Sequence, residues 1–166
     1  MPPPRSPANE YSEDALIEQP AIELLRELGW TPANLYRETF GANSTQGRKH
    51  NREVVLTRRL LAKLKEFNPG LPDDAYAQGV EELTRDRSAM IPVNANQEFY
   101  RLIKDGVRVS IKNEDGGTTF ETLKVIDWTN PKSNDFFLGS QCWIQGELYL
   151  RRSDLIGFVN GLPLLF

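Results

Sequence analysis

Apolar residues recur at helical spacing through roughly the first two thirds of the chain and at alternate positions through the rest. Between residues 16 and 28 they fall at 16, 17, 21, 22, 24, 25 and 28, which predicts a helix stopped by Gly29. Pro20 lies inside it, so the helix either kinks there or begins its main body there. Residues 31–50 are polar and irregular and read as loop, with glycines at 41 and 47. A second helix is predicted over 51–67, with Leu56, Leu60, Leu64 and Phe67 on one face and Asn68-Pro69-Gly70 ending it. A short acidic helix follows over 72–85. A fourth covers 94–104, where Phe99, Leu102 and Ile103 are apolar and Asp105-Gly106 closes the segment.

After Gly106 the period changes to two. Val107, Val109 and Ile111 alternate with Arg108, Ser110 and Lys112, the pattern of a half-buried strand. A turn at 113–117 and a strand over 119–128 complete a hairpin. A loop at 130–134 leads to strands over 136–144 and 147–151 around Gln145-Gly146, then over 155–159 and 162–166. Asn160-Gly161 joins the last two, and Asn-Gly between apolar runs signals a type I′ turn. There is no internal repeat. Helices precede strands, which predicts an α/β chain in α+β order, or an incomplete α/β unit.

Composition narrows the class. The 166 residues suit one domain; 39% are hydrophobic and 26% charged. No run of about 18 apolar residues is present, so no membrane-spanning helix is expected. The start, MPPPRSPAN, lacks the apolar core of a signal peptide, and with four prolines residues 1–9 read as a disordered tail. The single cysteine, Cys142, excludes a disulfide framework and a cysteine-based zinc site. The single histidine, His50, confines any Ser-His-Asp or Cys-His mechanism to itself. A reducing cytoplasm is the expected compartment. The chain closes on Gly161-Leu-Pro-Leu-Leu-Phe166, inside an apolar strand-like run, which predicts a fragment cut within a longer polypeptide.

Charge is segregated. The balance is 23 acidic against 20 basic side chains, or −3, so a global basic signal for nucleic acid is absent. Yet residues 48–65 hold seven basic side chains against one acidic, a local +6, while 10–28 are acidic. Arg52, Arg59 and Lys63, at spacings of seven and four, with Arg48 and Lys49 nearby, could track a phosphate backbone or form a solvated helix face. Both readings stand.

Few residues could carry chemistry. Gly41 to Lys49 superficially suggests a phosphate-binding loop, but five residues separate the glycines, Arg-Lys-His follows, and no apolar strand leads in. An NTP site is excluded there. Glu18 shares a helical face with Ile22 and Leu25, where a carboxylate is costly unless paired. The plainer reading is a partly exposed Glu beside Pro20. Asp154 precedes the apolar strand at 155–159, a position that suits a rigidly held metal ligand or an Asp paired with Arg151 or Arg152. From spacing alone the plainer reading is favoured for both. His50 and Cys142 have no evident partners. Trp128, Phe136, Phe137 and Trp143 read as core.

Four stretches carry a resemblance. They are Leu16-Ile17-Glu18 through Leu28-Gly29-Trp30; Asn96-Gln-Glu-Phe-Tyr100 through Asp105-Gly106-Val107; Ile126-Asp127-Trp128 with Asn134-Asp-Phe136; and Arg152-Ser153-Asp154-Leu-Ile-Gly-Phe-Val159-Asn160-Gly161-Leu162-Pro163-Leu164. The chain resembles, from about residue 12 onward, the N-terminal nuclease region of the R (restriction) subunit of type I restriction-modification enzymes. The resemblance implies a PD-(D/E)xK restriction-endonuclease-like fold, a central mixed sheet with flanking helices, truncated here. It implies that residues 10–166 are the N-terminal part of an endonuclease domain incomplete at its C-terminus. Asp154 would take the place of the motif's first acidic residue, with Ser153 in place of the usual Pro. Glu18 would match the opening-helix glutamate, so both become catalytic and Mg²⁺-binding candidates.

The family's Glu-x-Lys would fall just beyond 162–166, so this fragment is expected to be inactive alone. Its parent would cleave foreign double-stranded DNA with Mg²⁺ after ATP-driven translocation, alongside methyltransferase and specificity subunits. ATP would not be bound by this fragment. Two other readings stand beside this one: a non-catalytic DNA-binding or subunit-docking module of the same complex, and a bare scaffold prone to self-association through 162–166.

Overall fold

The computed structural model describes residues 14–146 and 148–166. The expected tail at 1–9 lies outside them. A π-type turn, Asp14–Glu18, runs into helix α1, Gln19–Glu27. Pro20 sits in the first turn of α1, where a missing N–H is not needed, so the main body of the helix begins at the proline. The amides of Leu28, Gly29 and Trp30 then donate to the carbonyls of Leu24, Arg26 and Leu25 and close it.

Strand β1, Thr31–Asn34, follows. Helices α2 (Thr57–Phe67), α3 (Asp73–Thr84) and α4 (Pro92–Asp105) precede a hairpin of β2 (Val107–Lys112) and β3 (Thr118–Leu123). Strands β4 (Phe136–Gln145), β5 (Leu150–Val159) and β6 (Leu162–Leu165) complete the order. The main sheet runs β1-β4-β5-β6. β1 is parallel to β4, and the other pairs are antiparallel, so the sheet is mixed. The expected α/β class and its mixed sheet are present.

Two apolar clusters hold these layers. Leu60 and Leu64 of α2 meet Ala75, Tyr76 and Leu83 of α3, Val107 and Val109 of β2, Leu123 of β3 and Leu162 of β6. The second cluster is Leu35, Leu56, Phe137, Cys142, Ile156 and Phe158, on the main sheet. Each fully buried Leu or Phe contributes about 1.5–3 kcal/mol. Trp30, just past α1, lies against β5 at Gly157. A Cβ there would sit 2.9 Å from the indole and 2.9 Å from Leu165, so only glycine lets α1 and β6 approach β5 together.

The Asn160-Gly161 turn is as expected, with φ of 52° and 82°. A Cβ on Gly161 would lie 2.5 Å from the Leu56 carbonyl oxygen, so the turn also needs glycine to seat against α2. Asn160 is fully buried. Its amide donates to the Val125 carbonyl and Asn134 Oδ1, and its Oδ1 accepts from Asp135 N–H. The β5–β6 turn is thereby tied to the 125–135 segment.

Four expectations on the elements need correction. The segment 31–50 is not all loop: β1 forms there by parallel pairing with β4, Thr31 opposite Phe137 through Asn34 opposite Ser140. Helix α2 begins at Thr57 rather than 51. The Asn51 and Glu53 carbonyls are taken by the Arg48 guanidinium, and the Leu56 amide donates to Gly161. β3 stops at Leu123 rather than 128, because the Asn68 side chain captures both backbone groups of Lys124. The strands expected over 147–151 and 155–159 are one, β5, held in a single register from Val159 opposite Phe136 to Leu150 opposite Gln145. Of the four aromatics read as core, Phe137 is buried and Trp128 is exposed, donating its indole N–H to the Ile103 carbonyl. No described helix is long and apolar enough to cross a membrane.

Candidate active site

Asp154 lies within β5, not at its mouth, two residues before the buried Ile156-Gly157-Phe158 run. Its side chain is exposed, and among the described residues it makes no hydrogen bond or ion pair. The alternative of an Asp paired with Arg151 or Arg152 is therefore not what is observed. Arg152 lies instead over the Tyr36 and Trp143 rings, 5.7 Å from each centroid.

Directly across from Asp154 is Gln141. The β4–β5 ladder pairs Ser140 with Leu155 and Cys142 with Ser153, so the shared register sets Gln141 opposite Asp154. That pair alone forms no ladder contact between Phe136 and Gln145, because Gln141 has a φ of 56° in the middle of a strand. Only two non-glycine residues of the described chain have positive φ, and the other is the turn residue Asn160. The Gln141 Nε2 donates to Glu18 Oε2 at 2.8 Å. Glu18 ends the π-type turn that opens α1, and it is half-buried. Gln141 thus stands opposite Asp154 in the β4–β5 register and donates to Glu18. Neither periodicity nor spacing pointed to Gln141.

The expected basic stripe does not survive as one surface. Arg48 is 1% exposed and forms an ion pair of 2.7 Å with Glu38, which is as deeply buried. Its guanidinium also donates to the carbonyls of Asn51, Glu53 and Trp143 and lies 3.3 Å from Cys142 Sγ. It is an internal clamp, not a phosphate contact, and Cys142 has a partner after all. Burial raises both the Glu38 carboxyl and the Cys142 thiol above their ordinary values, and Arg48 opposes each rise. Arg59 grips both oxygens of Asp135 and lies 4.0 Å from the centroid of the Phe137 ring. Lys63 donates to Glu66 and to the Ser133 carbonyl.

Lys49 and Arg52 are exposed, and Arg52 precedes α2 instead of lying on it. The basic residues regroup elsewhere. Arg58, Arg59, Lys63 and Lys132 gather around an open depression of about 460 Å³ between α2 and residues 132–135. Arg58 and Lys132 were not expected there; Lys132 comes from a loop distant in sequence.

Two carboxylates supply hard oxygen donors, the kind Mg²⁺ takes, and Mg²⁺ commonly uses one or two carboxylates with water and substrate phosphate. Among the described residues no group of three or more His, Cys, Asp or Glu side chains is placed to hold a metal. Glu18 and Asp154 carry donors of the kind Mg²⁺ takes, and no closed cage surrounds either among the described residues.

Among the described residues the class of the chain is mixed α/β: four α-helices, a mixed four-stranded sheet and a separate hairpin. Over residues 10–166 the sequence matches the family described as "Type I restriction enzyme R protein N terminus", and the chain belongs to that family. It is 31% identical over 155 residues to the type I restriction enzyme HindI endonuclease subunit of Haemophilus influenzae, covering 90% of this chain and 14% of that protein. It is 27% identical over 162 residues to a putative type I restriction enzyme MjaIXP endonuclease subunit of Methanocaldococcus jannaschii, covering 95% of this chain and 15% of that protein. The chain therefore spans about a seventh of the length of these curated relatives.

Proposed function

We propose that this chain is the N-terminal part of the Mg²⁺-dependent endonuclease domain of a type I restriction enzyme R subunit, built on a PD-(D/E)xK-like fold. The observation that supports the reading is Gln141, which donates to Glu18 and stands opposite Asp154 in the β4–β5 register. Family membership supports it, as does the β4–β5–β6 antiparallel run that would lead into a Glu-x-Lys strand. Residues 10–166 form one domain on this reading, working in the cytoplasm. The parent cleaves double-stranded DNA after ATP-driven translocation, together with methyltransferase and specificity subunits.

Asp154 and Glu18 would hold Mg²⁺. When bound, the metal supplies charge stabilisation at the phosphodiester and lowers the pKa of water. The chain's own contribution is placement. β5 holds Asp154 beside β4, and the Gln141 amide donates to the Glu18 carboxylate.

The test is plasmid cleavage by the full R subunit in its assembled complex, with Mg²⁺ and ATP, against its Asp154→Ala version. Loss of double-strand cleavage with ATP hydrolysis retained is expected. Cleavage undiminished in Asp154→Ala would refute the reading. A docking role has one observation in its favour, the exposed apolar tip at Leu148 and Tyr149 between β4 and β5. It predicts that complex assembly fails when both are replaced by Ser.

A further inference from the structure

A residue in the middle of a strand ordinarily keeps its extended φ and its ladder bonds. Gln141 gives up both. Its φ of 56° is a left-handed conformation that residues other than glycine disfavour. Local strain of this kind persists where the surrounding structure enforces it, and it gathers at functional sites. The strained residue here faces Asp154, and its amide meets Glu18, 123 positions away in sequence. The chemistry of the side chain is also selective. An amide orients a carboxylate by donating a hydrogen bond and adds no charge. Lys or Arg in its place would cancel the negative charge that a cation needs.

We propose that Gln141 is a positioning residue. Its left-handed backbone turns the side chain towards α1, and its Nε2 holds the Glu18 carboxylate in register with Asp154 as the second oxygen donor to the divalent cation. This rests on the metal-site reading of Glu18 and Asp154. The same kind of support behind metal ligands changes metal affinity by about 10- to 100-fold when removed.

The test uses Mn²⁺ as the probe, with free ion followed by electron paramagnetic resonance, on the full-length R subunit and without turnover. Gln141→Ala and Gln141→Gly are compared with Glu18→Gln, Asp154→Ala and the Glu18→Gln/Gln141→Ala pair. Gly accepts the φ of residue 141 without strain, so Gln141→Gly keeps the backbone and removes only the amide. Thermal melts verify that each variant is folded. Both Gln141 variants should weaken Mn²⁺ binding about 10-fold or more. The pair should bind no more weakly than Glu18→Gln alone, since the two changes remove one interaction. Wild-type affinity in Gln141→Gly, or additive losses in the pair, would overturn the positioning role. Wild-type affinity in Asp154→Ala, or no saturable Mn²⁺ binding in the unmodified subunit, would overturn the metal-site reading itself.

Discussion

Replacing Arg48 by Met removes the charge that compensates Glu38 in a site from which both side chains are shielded, each 1% exposed. Among the described residues the Glu38 Oε1 has no hydrogen-bond partner, so Arg48 is what holds the carboxylate there. Three backbone carbonyls, of Asn51, Glu53 and Trp143, lose a donor in the same step. Breaking a buried pair from one side costs about 3–5 kcal/mol. At about 2–4 °C per kcal/mol for a domain of this size, the melting temperature should fall by about 6–20 °C. Circular dichroism melts of the chain measure it. Arg48→Met/Glu38→Leu should recover most of the loss, because no charge is then left buried, and the deficit remaining is that of the three carbonyls.

The deficit should also depend on pH. Burial raises the folded-state pKa of Glu38 and Arg48 restrains the rise, so Arg48→Met raises it further. A group with a raised folded pKa contributes stability that is present below its unfolded value and lost as pH rises through the folded one. The single variant should therefore be most impaired near pH 7, with its deficit narrowing towards pH 4.5. A loss below about 0.5 kcal/mol, equal at both pH values, would refute the reasoning, since that is the size of an ordinary surface change.

Two further outcomes follow from the rest of the fold. Asn160→Ala should destabilise by about 2–4 kcal/mol, since it leaves buried hydrogen-bonding groups of Val125, Asn134 and Asp135 short of partners and puts a Cβ-bearing residue without a compensating amide at φ 52°; urea unfolding measures it, and a change under 0.5 kcal/mol would contradict it. Replacing Arg58, Lys63 and Lys132 by Ala should lower the slope of log affinity against log salt for duplex DNA by about 2–3, while Arg48→Met should not change it; fluorescence anisotropy over a salt series reads both, and an unchanged slope in the triple variant would remove the depression from the DNA contact.

The elements legible in the sequence are those whose causes are local. The β2–β3 hairpin could be read because alternation at 107–112 and the turn at 113–117 are adjacent, and its first strand falls where expected. The elements that escaped have distant causes. β1 contains Pro32 and Asn34 and has no period of its own; it is a strand because β4 runs beside it. The first half of β5 is exposed and polar, with Arg151 and Arg152, so no apolar pattern marks its continuity with the buried second half. The start of α2 at Thr57 escapes periodicity, which counts positions and not the partners that claim a backbone carbonyl.

The same distinction divides the candidate site. A local charge of +6 over 48–65 is visible in the sequence, but whether a charge faces water depends on what stands opposite it. Glu38 stands opposite Arg48, and it lies in the stretch read as loop, so a basic cluster that suggested a phosphate track holds a structural clamp at its start. Glu18 and Asp154 are nameable by resemblance, whereas the hydrogen bond that Gln141 gives to Glu18 is not. Gln141 has no motif and no periodic position. Its place shows only when β4 is set against β5 and its amide is traced to Glu18. A backbone angle that no local preference of glutamine favours, at the one ladder position facing the candidate Asp, is the sort of local inconsistency that points to function and not to folding.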